Sequence, residues 1–458
     1  MASLCPNLGG TVSEREATLT PEILSELRKE FSTDTRGQLM QNAVTNSDID
    51  QVAQNHQVVA YADRSMSHKL DAWPVANQKK SGRCWLFAGL NLLRSSMIKR
   101  LNVENFEFSQ AYLFYWDKLE KANYFFESQI ELADRDLDDR TVAHLLSDPI
   151  GDGGQWNMFV ALVDKYGVVP KWAMPETESS SNSKKMDRIL ERYLREGALT
   201  LRKAAQNSPK TVGEVKAGLL KGVHRILNIH LGTPPEKFVW QYNDKDNKFE
   251  RLGEVTPQQF ADKYIVNDLR NYVCLVNDPR EANPYGKTYT VDRLGNVLGA
   301  APVRYLNVPM QVMKDCAATV LQAGKPVWFG CDTEQQADRE LSLWDKNLYD
   351  YEAVYGVEFG MDKEERLLSH ESLMTHAMLF VGVDILDGAP RRWRVENSWG
   401  CEGRADEGFY TMNDSWFDEY VFEIAVHRDR LPKQYREVIE SEDAPIVLPA
   451  WDPMGSLA

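Results

Sequence analysis

The sequence predicts an α+β protein in which helices come first and strands come late. Three observations carry this. From Cys84 the residues Leu86, Leu90, Leu93, Met97 and Leu101 fall on one helical stripe. In the second half, "PVWFGCD" and "HAMLFVGVDI" are apolar runs of strand length and "RWRVENSW" alternates, with "DGAP" as the turn between the last two. The end, "APIVLPAWDPMGSLA", holds Pro445, Pro449 and Pro453, cannot close a helix, and reads as an extended arm.

The elements follow in chain order. "TPEILSELRKEFS" is a first amphipathic helix, with Thr20 at the N-cap and Pro21 at the first helical position. A polar, weakly periodic stretch follows, and residues 1–70 are expected to form an N-terminal helical extension. Residues 71–184 are expected to form a helical lobe. Its helix from Cys84 is closed by Lys99 and Arg100, where cations suit the helix dipole. "FSQAYLFYWDKLEKANYFF" is apolar nearly all round and reads as a buried helix. "SDPIGDGGQW" is a turn-rich loop, "WNMFVALVDKYGVVP" a helix ending near Gly167, and "ETESSSNSKK" a polar break. Residues 185–310 read as an inserted, mostly helical and charged subdomain with a few strand-like pieces such as "NYVCLV". Residues 311–435 are expected to form a β lobe and residues 436–458 the terminal arm.

Composition narrows the class. The chain has 458 residues, of which 43% are apolar and 26% charged, as in ordinary globular proteins. A chain of this length builds a core without disulfides or structural metal. Its six cysteines contain no CxxC pair, so a zinc ribbon is not expected. A net charge of −15 lacks the basic footprint of a nucleic-acid partner. No run approaches the roughly 18 apolar residues of a membrane span. The first residues lack the apolar core of a secretory signal, so a cytoplasmic protein with reduced thiols is expected.

Four residues point to thiol chemistry. Cys84 at a helix N-terminus meets the positive end of the dipole, which lowers a thiol pKa. Its own N–H, unsatisfied in the first turn, can face a developing oxyanion, with the Gln78 side chain as second donor and Gly82 allowing the tight turn. A hairpin about Asp387–Gly388 sets His376 opposite Trp399, two residues beyond Asn397. Asn397 then accepts from the imidazole, and Trp399 shields the pair. A thiolate–imidazolium pair at neutral pH is the expectation. "HESLMTH" begins like a zinc-protease helix but has Met374 where the second histidine is required, so neither metal nor any other cofactor is expected.

These residues resemble the papain-like cysteine proteases. Gln78, Cys84–Trp85, His376–Ala377 and "NSWG" from Asn397 stand in that family's order, and "DGGQW" looks like its glycine wall. Within the family, "NQKKSGRCW", "EKFVWQYNDKDN", "CLVNDPR", "ESLMTHAM", "WRVENSWG" and "LPAWDPMGSLA" are most similar to the bleomycin hydrolase (aminopeptidase C) branch. The resemblance implies a papain-like two-lobed fold and a cysteine-type aminopeptidase acting on peptides with a free N-terminus. It further implies action on bleomycin-like amides and homocysteine thiolactone, and a cytosolic homohexamer with active sites facing an internal chamber. Its implied sites are Cys84, His376, Asn397 and Gln78 for catalysis, and Gly153, Gly154 and Trp399 for substrate. The Ala458 carboxylate would sit one residue short of Cys84 and meet the substrate amine, with Trp451 and Met454 anchoring the arm. The competing reading is a nucleic-acid-binding or scaffold hexamer of papain fold whose catalysis is incidental. A transglutaminase-like acyl transferase fits less well, since those enzymes generally orient the histidine with Asp.

Overall fold

The computed structural model describes residues 18–70, 73–265, 268–441 and 443–456. They fall into two compact units. One comprises residues up to Tyr61 together with Asn347–Gly360, and the other holds the remainder.

In the first unit the opening helix runs Pro21–Thr33, and the Thr20 hydroxyl accepts from the Ile23 N–H as a cap. The polar stretch after it is three further helices, Thr35–Val44, Ile49–Ala53 and His56–Ala60. Asp34, Asp48 and Asn55 cap them by accepting backbone N–H groups. Residues placed at caps make a short helix look like loop in the sequence. Segment 347–360, expected in the β lobe, packs here: the Asn55 N–H donates to the Leu348 carbonyl and the Asp350 N–H to that of Ala53, both at 2.8 Å.

Fourteen strands are described: β1 (His68–Lys69), β2 (Phe238–Asn243), β3 (Phe249–Val255), β4 (Tyr272–Val276), β5 (Thr288–Val291), β6 (Tyr305–Asn307), β7 (Val327–Cys331), β8 (Ala337–Asp338), β9 (Leu343–Trp344), β10 (His376–Leu386), β11 (Ala389–Glu396), β12 (Phe409–Asn413), β13 (Val421–His427) and β14 (Ile446–Leu448). Apart from the β2–β3 hairpin they make one sheet, ordered β14-β5-β6-β4-β13-β7-β10-β11-β12-β9-β8, with β1 alongside β10. The centre, β13 to β12, is antiparallel. The β10–β11 turn is the two residues Asp387–Gly388, both at positive φ, as a primed hairpin turn requires.

Alternation along β10 sorts its side chains between two cores. Ala377, Leu379 and Val381 enter the core that contains the helix Cys84–Leu101, whereas Met378 and Phe380 enter the core with Trp393 and Phe417. Trp328 of β7 lies on the helix side, and its indole N–H donates to the Trp85 carbonyl at 3.3 Å. The first turn of that helix is thereby held against the middle of the sheet.

The region 185–310 departs from the expected helical insertion. Helices occupy Lys184–Asn207 and Val212–Leu231, but β4, β5 and β6 belong to the large sheet. Their short apolar runs are buried between helices and sheet, the setting in which continuous apolar strands occur. The polar break near 176–185 contains a short helix, Glu178–Ser181, capped reciprocally by Thr177 and Ser180, and the start of the helix Lys184–Asn207. Among the described residues no helix is long and apolar enough to cross a membrane.

The second long helix, Gln110–Glu131, is buried as expected, yet it carries charge inward. Lys118 is fully buried and pairs with Asp152 at 2.7 Å and Asp187 at 2.8 Å, and donates to the Ile150 carbonyl at 2.6 Å. Burial works against its charge, but the two carboxylates outweigh burial and raise its pKa. This ammonium ties the helix, the 150–154 loop and the helix Lys184–Asn207 together. Lys118→Ala leaves two carboxylates facing each other, and its urea midpoint is expected to fall by the equivalent of about 3–5 kcal/mol.

Candidate active site

Cys84 is the first residue of its helix, behind Arg83 as the N-cap, which makes no side-chain cap. The Arg83 side chain is buried instead, pairing with Glu176 at 2.9 Å and donating to the Ser81 hydroxyl at 2.9 Å. The thiol is 1% exposed and faces the backbone N–H of Ala377, the residue after His376. Packing of the helix on β10 sets the thiol at the N–H of the residue that follows His376.

The hairpin places Asn397 directly beyond β11. Its Oδ1 lies 2.9 Å from His376 Nε2 and accepts the Ser398 N–H at 2.7 Å. An oxygen that accepts from the backbone N–H is also the acceptor toward the ring. Nε2 therefore carries the proton and Nδ1 keeps its lone pair. The Trp399 ring covers the imidazole at a centroid distance of 4.7 Å.

Gln78 is buried, and both ends of its amide are engaged. Its Oε1 accepts from the Ser398 hydroxyl and its Nε2 donates to the Ser81 carbonyl, each at 2.5 Å. One Nε2 hydrogen remains for an incoming oxygen. The Gln78 N–H also donates to the Ser398 carbonyl at 2.8 Å. Ser398 was not singled out in the sequence, where it reads only as part of "NSWG".

The glycines work differently from the sequence expectation. Gly82 has no positive φ; the left-handed residue of this loop is Lys79, at φ 55°. Gly82 is needed for close approach, since a Cβ there would sit 2.8 Å from that of Asp152, and its N–H donates to the Asp152 carboxylate at 2.9 Å. A Cβ on Gly154 would lie 2.5 Å from the Trp85 ring. The Gly153 carbonyl accepts from the Lys121 ammonium at 2.5 Å. Asp152 thus connects the loop before the nucleophile, the glycine strip and Lys118, and its backbone carbonyl accepts the Trp85 indole N–H at 2.8 Å.

Burial also sets the protonation states. It pushes the Cys84 thiol up to about 11, against the amides that face the sulfur. It pulls the His376 imidazole down to about 4, against the Asn397 contact and with help from the Arg339 charge. Burial thus disfavours each charge taken singly and works against the expected thiolate–imidazolium pair, whose two charges would have to stabilise each other. Desolvation exceeds the benefit of the helix terminus here.

The terminal arm is described as far as Ser456; Ala458 lies outside the described residues. β14 adds parallel to β5, and Met454 is buried. The Ser456 carbonyl accepts from Gln155 Nε2 at 2.6 Å, and its hydroxyl donates to the Met374 carbonyl at 2.8 Å. Gln155 follows Gly154 and Met374 precedes His376 by two, so the arm's end is pinned between the glycine strip and the histidine strand. Trp451 stacks under Arg140 at 4.0 Å. The strongest polar anchor was overlooked in sequence: Asp452 accepts twice from Arg280, at 2.8 and 3.0 Å.

A second unpredicted residue is Glu396. It is buried beside Asn397 and accepts from the Trp73 indole at 3.0 Å and from Asn91 of the Cys84 helix at 2.8 Å. Nothing in "RVENSW" marks it as more than a strand charge.

The Peptidase C1-like family matches residues 18–455. Human bleomycin hydrolase is 42% identical, covering 96% of this chain and 99% of that protein. Aminopeptidase C of Listeria monocytogenes is 40% identical, over 97% of this chain and 100% of its own length. The crystal structure of PepW from Lactobacillus rhamnosis HN001 superposes with a TM-score of 0.94 at 43% identity, covering 96% of this chain and all of that one. The chain belongs to the Peptidase C1-like family and has an α+β, papain-like fold. Within that family it is a cysteine-type aminopeptidase, similar to the bleomycin hydrolases and aminopeptidases C.

Burial raises the Glu396 carboxyl to about 7 from an ordinary 4.5. The folded chain therefore holds a proton there that the unfolded chain releases between about pH 4.5 and 7. Stability from this group is present below 4.5 and lost as pH rises through 7, at about 1.4 kcal/mol per pH unit. Urea titrations across this window are expected to show a flatter pH slope for Glu396→Gln than for the parent.

Proposed function

We propose that this enzyme removes single residues from peptide N-termini through a Cys84 acyl-enzyme, with its own C-terminus as the ruler. The observation that carries the reading is the pinning of Ser456 between Gln155 and Met374. A chain extended from Ser456 gains at most about 3.6 Å per residue, and in this reading it runs toward Cys84. The carboxylate of Ala458 would meet the protonated amine of a substrate and let only the first peptide bond reach the thiol. The two-lobed division of the fold, with substrate lying between Gly153–Gly154 and Trp399, is part of the same reading.

His376 Nδ1 takes the Cys84 proton as the sulfur attacks the carbonyl carbon. The charges formed by that one transfer are adjacent and offset each other's desolvation, so it costs far less than two separate ionisations. The tetrahedral oxyanion is held by the Cys84 N–H and Gln78 Nε2, while Ser398 keeps the Gln78 amide oriented. The imidazolium returns its proton to the departing amine, and water then cleaves the thioester with His376 as base. Asn397 holds the ring through both steps. The chemistry extends to any acyl group with a free neighbouring amine, and so to bleomycin-type amides and homocysteine thiolactone. The relatives named for bleomycin support the first of these.

We place this activity in the cytoplasm of a reducing cell, in keeping with the unpaired described cysteines. Homohexameric assembly is supported by the exposed Ile23, Leu24, Leu27 and Phe31 of the first helix, an apolar face of the kind association covers.

Deleting residues 455–458 tests the ruler. The truncated enzyme is expected to lose removal of single N-terminal residues and to cleave N-acetylated peptides internally, as read by mass spectrometry. Continued single-residue trimming with no action on blocked peptides overturns it. Alkylation of Cys84 against pH tests the proton transfer. The rate is expected to rise below the ordinary thiol value of about 8.5, because His376 accepts the proton. In His376→Ala the rise is expected to move up toward the buried thiol's value of about 11. Equal profiles for the two proteins would exclude His376 as the base.

A further inference from the structure

Trp399 covers His376 and also carries a charge over its ring. The Arg339 guanidinium lies 4.3 Å from the centre of the Trp399 ring. Its side chain is half exposed, and its ion-pair partner Glu334 stands 3.7 Å away, beyond hydrogen-bond distance. An exposed pair of that kind contributes little and leaves the guanidinium available. Arg404 adjoins it, donating to the Arg339 carbonyl at 3.1 Å. Lys79 and Lys80, directly after Gln78, are also exposed. In a chain of net charge −15 this cationic rim is local to the site.

The arm and the rim are held by different residues. Ser456 is held beside the glycine strip by Gln155 and Met374. Trp399 is held by the loop before Cys84, where Asn77 bridges to it and the Ser398 hydroxyl donates to Gln78. With the arm on the side of the acyl group, the departing chain runs past His376 and Trp399. One or two extended residues, at about 3.3 Å each, carry it from the scissile nitrogen to the guanidinium.

We propose that Arg339 is a specificity residue that reads a carboxylate on the departing part of the substrate, one to two residues beyond the scissile bond. The enzyme is thereby biased toward short peptides ending in a free carboxylate there, or toward peptides with an acidic side chain at that place. Arg suits this role because its planar fork stacks on the indole while its edge N–H groups remain free for bidentate carboxylate binding. The assignment of sides rests on the arm reading above.

The test is the kcat/KM ratio for Ala-Gly free acid over Ala-Gly amide, measured in the full-length parent, Arg339→Ala, Arg339→Lys and Arg339→Glu. Ala-Glu amide against Ala-Gln amide serves as the side-chain arm. The two leaving amines differ in basicity, so the readout is the change in ratio among proteins. Relative to the parent, Arg339→Ala is expected to lower at least one ratio about fivefold, mainly through KM. Arg339→Glu is expected to lower it further, Arg339→Lys to keep part of it, and high salt to reduce the parent's ratio. Whichever pair responds identifies the source of the carboxylate. If Arg339→Glu shifts neither ratio, or slows both members of each pair equally, Arg339 only supports Trp399 and the proposal is overturned. N-acetyl-Ala-Gly is run alongside: its cleavage by the parent overturns the arm reading, while the ratios still report on Arg339.

Discussion

The contact between the first turn of the Cys84 helix and the beginning of β10 sets the position of every reacting group. Trp328 holds the Trp85 carbonyl from the sheet, and Asp152 holds the Trp85 indole and the Gly82 N–H from the opposite flank. Between these supports the sulfur faces the N–H of Ala377, the residue after His376. The Cys84 N–H, one of the two proposed oxyanion donors, follows from the same placement. The other, Gln78, is tied to Ser398 on the strand side. A shift of about 1 Å in the helix would separate groups whose rates depend on near-contact geometry.

Such positioning costs buried charge. Lys118, Asp152 and Asp187 meet in a site nearly sealed from water, where removing one partner strands the others. Burial raises Asp187 to about 6, while the ammonium holds Asp152 well below the usual carboxylate range. The same low dielectric that makes the network costly makes it stiff, since each group has one arrangement that satisfies all three. Glu396 works similarly at the other end of the site, linking the strand that ends at Asn397 to the helix that begins at Cys84. The aminopeptidase is thus braced on both sides by carboxylates that take no part in bond making.

Burial also opposes charge on the thiol and on the imidazole. A helix N-terminus alone favours a thiolate, but its field is modest, and a fully enclosed sulfur loses more hydration than that field returns. The proton then moves only when both charges form together beside a bound carbonyl.

Much of the site was legible in the sequence. The apolar stripe from Leu86 to Leu101 announces a helix beginning at Cys84, because helical period is written within a few turns of chain. Asp387–Gly388 between two apolar strands announces a tight hairpin, and the hairpin's length sets His376 near Asn397 and Trp399. Three prolines exclude a terminal α-helix, and among the described residues of the arm there is only one 3₁₀ turn, Pro453–Gly455. Each of these is a local constraint, set by backbone stereochemistry within a few residues. What only the tertiary structure decided involves partners far apart in the chain. Lys118 looks like a solvated charge until Asp152 and Asp187 arrive around it. Asp452 looks incidental until Arg280 meets it, and Arg339 carries no motif until it lies on Trp399. The thiol itself changed character on burial. Charge is a property of a residue, but its hydration and its counter-charge belong to the folded surroundings, and these are assembled from segments that no local pattern connects.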